Sequence, residues 1–144
     1  MQTLHHIGFV VASIGEAAER MTRLLRGAWD GKVVHDPCQA VRVTFLRQNS
    51  PGDPLLELVE PVSDDSHIGA FIKRHGAGLH HVCYEVDSLD EQLAASRAAG
   101  ALIAREPLPA TAFDGRRIAW VYTRDRLLLE YLERQPGHER PRTP

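Results

Sequence analysis

"GLHHVCYEVDSLDE", Gly78 to Glu91, echoes an earlier stretch, "TLHHIGFVVASIGE", Thr3 to Glu16. Leu4-His5-His6-Ile7 returns as Leu79-His80-His81-Val82, and Ser13-Ile14-Gly15-Glu16 returns as Ser88-Leu89-Asp90-Glu91. Both pairs share an offset of 75 positions (79 − 4 and 88 − 13). A repeated apolar pattern implies a repeated fold. A histidine repeated at the same place implies that the repetition brings two imidazoles together.

Outward from this repeat, each half reads in the same order. Residues 4–11 are apolar and β-favouring, which predicts a strand. Ser13-x-x-Glu16 is a capping box, in which the two side chains satisfy free amides at a helix start. Ala17, Ala18, Met21, Leu24 and Leu25 follow at helical spacing, and Gly27 ends the run. Strands are predicted near 32–35, 41–47 and 55–60, the last two joined through the turn-forming segment at 48–54. The second half gives a strand at 79–86, a second capping box at Ser88-x-x-Glu91, a helix stopping at Gly100, and strands near 101–106, 117–122 and 127–132.

The chain is therefore expected to be a single α+β domain of two tandem βαβββ modules, residues 4–60 and 78–134. They form a curved mixed sheet around one cavity, since neither module buries a full core alone. Residues 61–77 are a linker with a short helix near 66–74, and 135–144 a flexible, Pro-rich tail.

Composition narrows the function. With 43% hydrophobic and 25% charged residues, and a net charge of −2, nothing favours binding to nucleic acid or to an anionic membrane. No apolar run approaches a membrane span, and the N-terminus enters strand-like sequence without a signal peptide. Cys38 and Cys83 are expected to be free thiols in a cytoplasmic protein.

Side chains alternate faces along a strand. His6, with Gly8 and Val10, is assigned to the inner face, and His5, with Ile7, Phe9 and Val11, to the face covered by the helix. In the second module His81, Cys83 and Glu85 point inward, and Val82, Tyr84 and Val86 outward. On this reading His81→Ala lowers metal content and His80→Ala does not. Glu57, in "LLELVEP", and Glu130, in "LLLEYLE", are flanked by leucine or tyrosine. A carboxylate inside an apolar strand costs several kcal/mol unless it is paired or bound to a cation. His6, Glu57, His81 and Glu130 are thus the expected ligands of one divalent metal ion (Co, Ni, Zn, Mn or Fe). Cys83 is read as a small core residue, and Glu60 and Glu133 as solvated strand ends.

With these residues in hand, the sequence resembles the vicinal oxygen chelate (glyoxalase-like) superfamily, and within it methylmalonyl-CoA epimerase. The likeness rests on "LHHIGFVV", "LLELVEPVSDDSHIGAFIKRHGAGLHHVCYEVDSLDE" and "GRRIAWVYTRDRLLLEYLE". It implies that His6, Glu57, His81 and Glu130 fall on the family's metal positions, and that the protein is a homodimer. It also implies a small-molecule substrate such as an acyl-CoA or another carbonyl compound. The expected reaction is metal-assisted proton abstraction beside a carbonyl, with Glu130 as first base and Glu57 opposite. Two related outcomes are a glyoxalase I-like lyase and a non-catalytic resistance protein that binds a small molecule. An iron ring-cleaving dioxygenase fits less well, because such sites use two histidines and a single carboxylate. Two departures stand out. Tyr122-Thr123-Arg124-Asp125-Arg126 replaces the family's His-Pro-Lys-Asp segment, and the strand Val41-Arg42-Val43-Thr44-Phe45 lacks the carboxylate some epimerases place there. Arg42, Arg116 and Arg117 are cations without an assigned role that an acidic substrate would meet.

Overall fold

The computed structural model describes residues 2–136, so 137–144 of the expected tail lie outside the described residues. In chain order the elements are β1 (Thr3–Val10), α1 (Ile14–Leu25), β2 (Val34–Asp36), β3 (Val41–Leu46) and β4 (Leu55–Pro61). There follow α2 (His67–His75), β5 (Gly78–Val86), α3 (Leu89–Ala98), β6 (Leu102–Pro109), a 3₁₀ turn (Thr111–Phe113), β7 (Arg117–Tyr122) and β8 (Leu128–Glu133). The eight strands form one curled mixed sheet in the order β2-β3-β4-β1-β5-β8-β7-β6. That order is a palindrome of two βαβββ units, joined where β1 pairs antiparallel with β5. Among the described residues no helix is long and apolar enough to cross a membrane.

The outer face of each half carries its helix. Ala17 and Ala18 of α1 pack with Leu46, Leu56 and Leu58, over Ile7 and Phe9. Leu89 and Leu93 of α3 pack with Val86, Val121 and Tyr131, over Tyr84. Small alanines let α1 lie close to the sheet, and the alternation read from β1 and β5 accounts for which residues meet the helices.

The alternation fails at two positions. Between β1 and β5 the register slips once between Leu4 and His6, leaving His5 unpaired, and once between Leu79 and His81, leaving His80 unpaired. An extra residue in one strand puts two successive side chains on one side. His5 therefore lies against the ring of Phe113 (centroids 5.5 Å apart), and His80 lines the inner cavity. Assigning His5 and His80 to the helix face is corrected on this ground. A bulge has no signature in a run of apolar residues, but both occur at the first His of a His-His pair.

The helix starts also differ from the expectation. Ser88 does accept from the Glu91 amide (3.3 Å), whereas Ser13 makes no side-chain cap. Instead Glu60 Oε2 accepts from the Ile14 amide at 2.7 Å, and Glu133 Oε1 accepts from the Leu89 amide at 3.2 Å. Arg42 Nη2 holds Glu60 at 2.5 Å, and Arg117 Nη2 holds Glu133 at 2.7 Å. Glu60 and Glu133 are thus not solvated strand ends. They are anionic caps at helix N-termini, where free amides and the helix dipole favour negative charge. Replacing Glu60 by Ala is expected to lower stability by about 1 kcal/mol, the usual magnitude for a lost N-cap. Urea unfolding would register this as a lower midpoint at unchanged slope, and an unchanged midpoint would contradict the assignment.

β6 runs further than expected, through Pro107 to Pro109, because it is an edge strand whose prolines need no ladder donor on the open side. β2 starts two residues late. The Lys32 carbonyl is taken by the Thr44 hydroxyl (2.6 Å) rather than by the ladder. Cys38 is exposed, Cys83 is buried, and both are free thiols.

Candidate metal centre

Strand pairing builds the site as two rungs across the centre of the sheet. On one, Glu57 of β4 neighbours Gly8 of β1, which neighbours His81 of β5. On the other, His6 of β1 neighbours Cys83 of β5, which neighbours Glu130 of β8. Each rung places a small residue between a carboxylate and an imidazole, so both long side chains lean over it toward a common point. The rungs end in Phe45 beside Glu57 and Trp120 beside Glu130, again separated by 75 positions (120 − 45).

The convergence is close. His6 Nε2 lies 3.0 Å from His81 Nε2, 3.0 Å from Glu130 Oε2 and 3.3 Å from Glu57 Oε2. His81 Nε2 lies 3.0 Å from Glu57 Oε2 and 3.4 Å from Glu130 Oε2. All four side chains are buried, and their ligating atoms lie within 4.8 Å of one another. Donors bonded at about 2.0–2.2 Å to a common ion are roughly 2.8–3.6 Å apart at octahedral or tetrahedral angles. The observed spacings sit inside that window, and two imidazoles with two carboxylates form a donor set for a divalent first-row ion. The residues present fit such an ion.

Electrostatics agrees with the geometry. Burial pushes the Glu57 carboxyl upward, but the imidazoles of His6 and His81 outweigh it and bring it down to about 2. Glu130 is likewise lowered by the same two rings against the effect of burial. Burial depresses both imidazoles, yet Cys83 and the carboxylates around His6, and the two carboxylates around His81, raise them above their ordinary value. The cluster holds two negative groups in a buried place, and ligation of a cation there displaces imidazole protons. Burial pushes the Cys83 thiol up to about 12, so it stays protonated, as a core residue packed with Ile118 and Leu132 would.

Each of the two converging rings, His6 and His81, is backed by its neighbour. His5 Nδ1 lies 2.8 Å from His6 Nδ1, and His80 Nδ1 lies 2.9 Å from His81 Nδ1. Burial and the His81 charge depress His80 to about 4. This contact sets His80 beside the donor cluster and not on the helix-covered face.

Gly8 was not singled out by sequence reasoning, although its place opposite His81 decides whether the ring fits. A Cβ at position 8 would collide with the His81 imidazole. Gly8→Ala is expected to displace that ring and lower metal content severalfold in a protein that still folds, as read by metal analysis beside circular dichroism. Full metal content in this variant would show that the ring does not need the gap.

Over the four donors opens a cavity of about 440 Å³, within the size range of small-molecule sites. Val41, Val43, Val59, Ile68, Trp120 and Leu128 bring apolar groups to its wall, while Asp36, Gln39, His67 and Arg105 bring polar ones. Arg42, Arg116 and Arg117 are not among the residues lining this cavity. Arg42 and Arg117 hold the helix caps, and Arg116 Nη1 pairs with Glu85 Oε1 at 2.7 Å. The idea that these three arginines meet an acidic substrate is corrected accordingly, and Glu85, though buried as expected, is committed to Arg116 and Arg134.

Comparison with known proteins supports the same kinship. The uncharacterized protein YqjC of Bacillus subtilis is 34% identical over 126 residues, spanning 87% of this chain and 86% of the relative. The ethylmalonyl-CoA/methylmalonyl-CoA epimerase of Cereibacter sphaeroides is 28% identical over 123 residues, covering 85% and 89%. A Streptomyces coelicolor methylmalonyl-CoA epimerase variant in complex with 2-nitronate-propionyl-CoA superposes with a TM-score of 0.82 at 25% identity, covering 96% and 98%. The sequence matches the profile of the Glyoxalase/Bleomycin resistance protein/Dioxygenase superfamily over residues 5–120, and the chain belongs to that superfamily.

Proposed function

We propose that the protein is a metal-dependent enzyme of the isomerase type that abstracts a proton beside the carbonyl of an acyl-CoA or similar thioester. The observation that carries this reading is the convergence of His6, Glu57, His81 and Glu130 beneath a largely apolar cavity. When bound by these four side chains, a divalent ion supplies Lewis-acid polarisation of a carbonyl oxygen and stabilises the charge that develops as the proton leaves.

The chain's own groups do the rest. Glu130 and Glu57 both line the cavity, and they come from opposite halves of the sheet. Glu130 is assigned as the base that takes the α-proton, and Glu57, after picking up a proton from solvent, as the group that returns one from the other side, with the two roles exchanged in the reverse direction. Val41 and Val43 give the β3 wall no carboxylate, and Asp36, which also lines the cavity, accepts from the Cys38 and Gln39 amides, so the acid–base duty is assigned to the two glutamates. The apolar walls strip water from the reacting carbon and strengthen every charge interaction within. The Cereibacter and Streptomyces relatives favour a coenzyme A thioester as the substrate. A homodimer working in the cytoplasm completes the proposal, and sedimentation velocity tests the assembly.

A panel of acyl-CoA thioesters, including chiral methylmalonyl-CoA, and of hemithioacetals, offered to the metal-loaded protein, tests the reaction class. Metal-dependent loss of chirality in an acyl-CoA supports the reading. Turnover of hemithioacetals alone would replace it with a glyoxalase-type lyase. Tight binding without turnover would replace it with a binding protein.

A further inference from the structure

We propose that His80 and His5 are positioning residues, each fixing the tautomer and the aim of its neighbouring metal-site histidine by accepting a hydrogen bond at Nδ1. The inference rests on the four-donor reading of His6, Glu57, His81 and Glu130, and adds a role for two histidines which that reading does not use.

Two ring nitrogens 2.8–2.9 Å apart share one proton. His81 can present a lone pair at Nε2 toward Glu57, Glu130 and His6 only if its proton resides at Nδ1. His80 Nδ1 is then the acceptor, and the same logic makes His5 Nδ1 the acceptor for His6. Metal-ligating histidines ordinarily find such a partner in a carboxylate, a carbonyl or water. Here another imidazole fills the place, twice, by the same device. The bulges at His5 and His80 leave each out of the pairing ladder and turn it to the side of its neighbour. Without the bulge the alternation would send the acceptor to the opposite face.

Packing holds the acceptors in place. The His80 ring meets Phe71 edge-on, with centroids 4.9 Å apart, and lies 6.0 Å from Trp120. His5 is buried, edge-on to both His6 (5.1 Å) and Phe113 (5.5 Å).

The test uses a distinction between an amide that can accept a hydrogen bond and a hydrocarbon that cannot. Asparagine carries its Oδ1 one bond from Cγ, as histidine carries Nδ1, so His80→Asn keeps an acceptor near the right place. His80→Leu keeps bulk without an acceptor. Cobalt(II) affinity by chelator competition, the visible absorption band of the cobalt form, and the thermal midpoint of the metal-free protein are measured for each, with His81→Ala as reference. His80→Leu is expected to weaken cobalt binding by roughly 10–100-fold, the range for lost outer partners, and to alter the band. His80→Asn is expected to restore most of the affinity, and neither variant should lower the metal-free midpoint in proportion. Equal losses in the Leu and Asn variants, tracking the midpoint, would mean that His80 only packs, and overturn the inference. Wild-type affinity in both would overturn it as well. If the unsubstituted protein failed to bind cobalt, or bound it as well after His81→Ala, the four-donor reading would fall and this inference with it.

Discussion

Replacing His81 by alanine is expected to remove metal binding almost entirely while leaving a folded protein. The Nε2 atom of His81 lies 3.0 Å from Glu57 Oε2, 3.0 Å from His6 Nε2 and 3.4 Å from Glu130 Oε2, so its loss opens one corner of the donor cluster. The other three donors keep their strand positions, but Glu57 and Glu130 lose one of the two imidazoles that hold them ionised. Deleting a donor should exceed the roughly 10–100-fold affinity loss typical of deleting its outer partner. Metal analysis of protein loaded and then desalted, beside its circular dichroism, checks the prediction. A full complement of tightly held ion would show that the cluster is not the metal centre.

The second large effect belongs to Glu130. Glu130→Gln retains a carbonyl oxygen where Glu130 Oε2 now lies, yet a neutral amide cannot accept the substrate's proton. Turnover should fall by roughly 10²–10⁴-fold, the range for loss of a general base, while metal content at saturating ion falls far less. The comparison with Glu57→Gln separates the roles. If Glu130 takes the proton and Glu57 returns one, the two variants should discriminate between the two epimers of the substrate in opposite directions. Proportionate loss of metal and turnover in Glu130→Gln would make this glutamate a ligand alone.

Much of the architecture was legible in the 75-residue offset. It marked β1 and β5 as equivalent strands and the following helices as equivalent, while Glu57 and Glu130, 73 positions apart (130 − 57), match through the likeness of "LLELVEP" and "LLLEYLE". The order of elements follows from that repeat, and strand alternation accounts for Ile7, Phe9 and Val11 meeting α1. Two kinds of feature escaped. Alternation assumes an unbroken ladder, and the bulges at His5 and His80 break it where the neighbouring histidine matters most. Capping boxes read only adjacent residues, whereas Glu60 and Glu133 reach their helix amides from strands 46 and 44 positions away in the chain. Yet the offset itself held more. Gly8 matches Cys83, Phe45 matches Trp120, and Arg42 matches Arg117, each separated by 75 positions. The repeat thus encodes the small residues under the imidazoles, the aromatic ends of both rungs, and the arginines of both caps, although only the histidines and the capping boxes are read from it directly.

On the proposed reading, the donor cluster and its glutamates exchange a proton beside a carbonyl. Proton NMR in deuterium oxide, following the α-hydrogen of an acyl-CoA thioester with the metal-loaded protein, tests it most directly. Loss of the α-proton signal is expected at a rate that vanishes on chelation of the metal and collapses in Glu130→Gln. Bound acyl-CoA whose α-proton persists at the uncatalysed rate, with the ion present and the cluster intact, would contradict it.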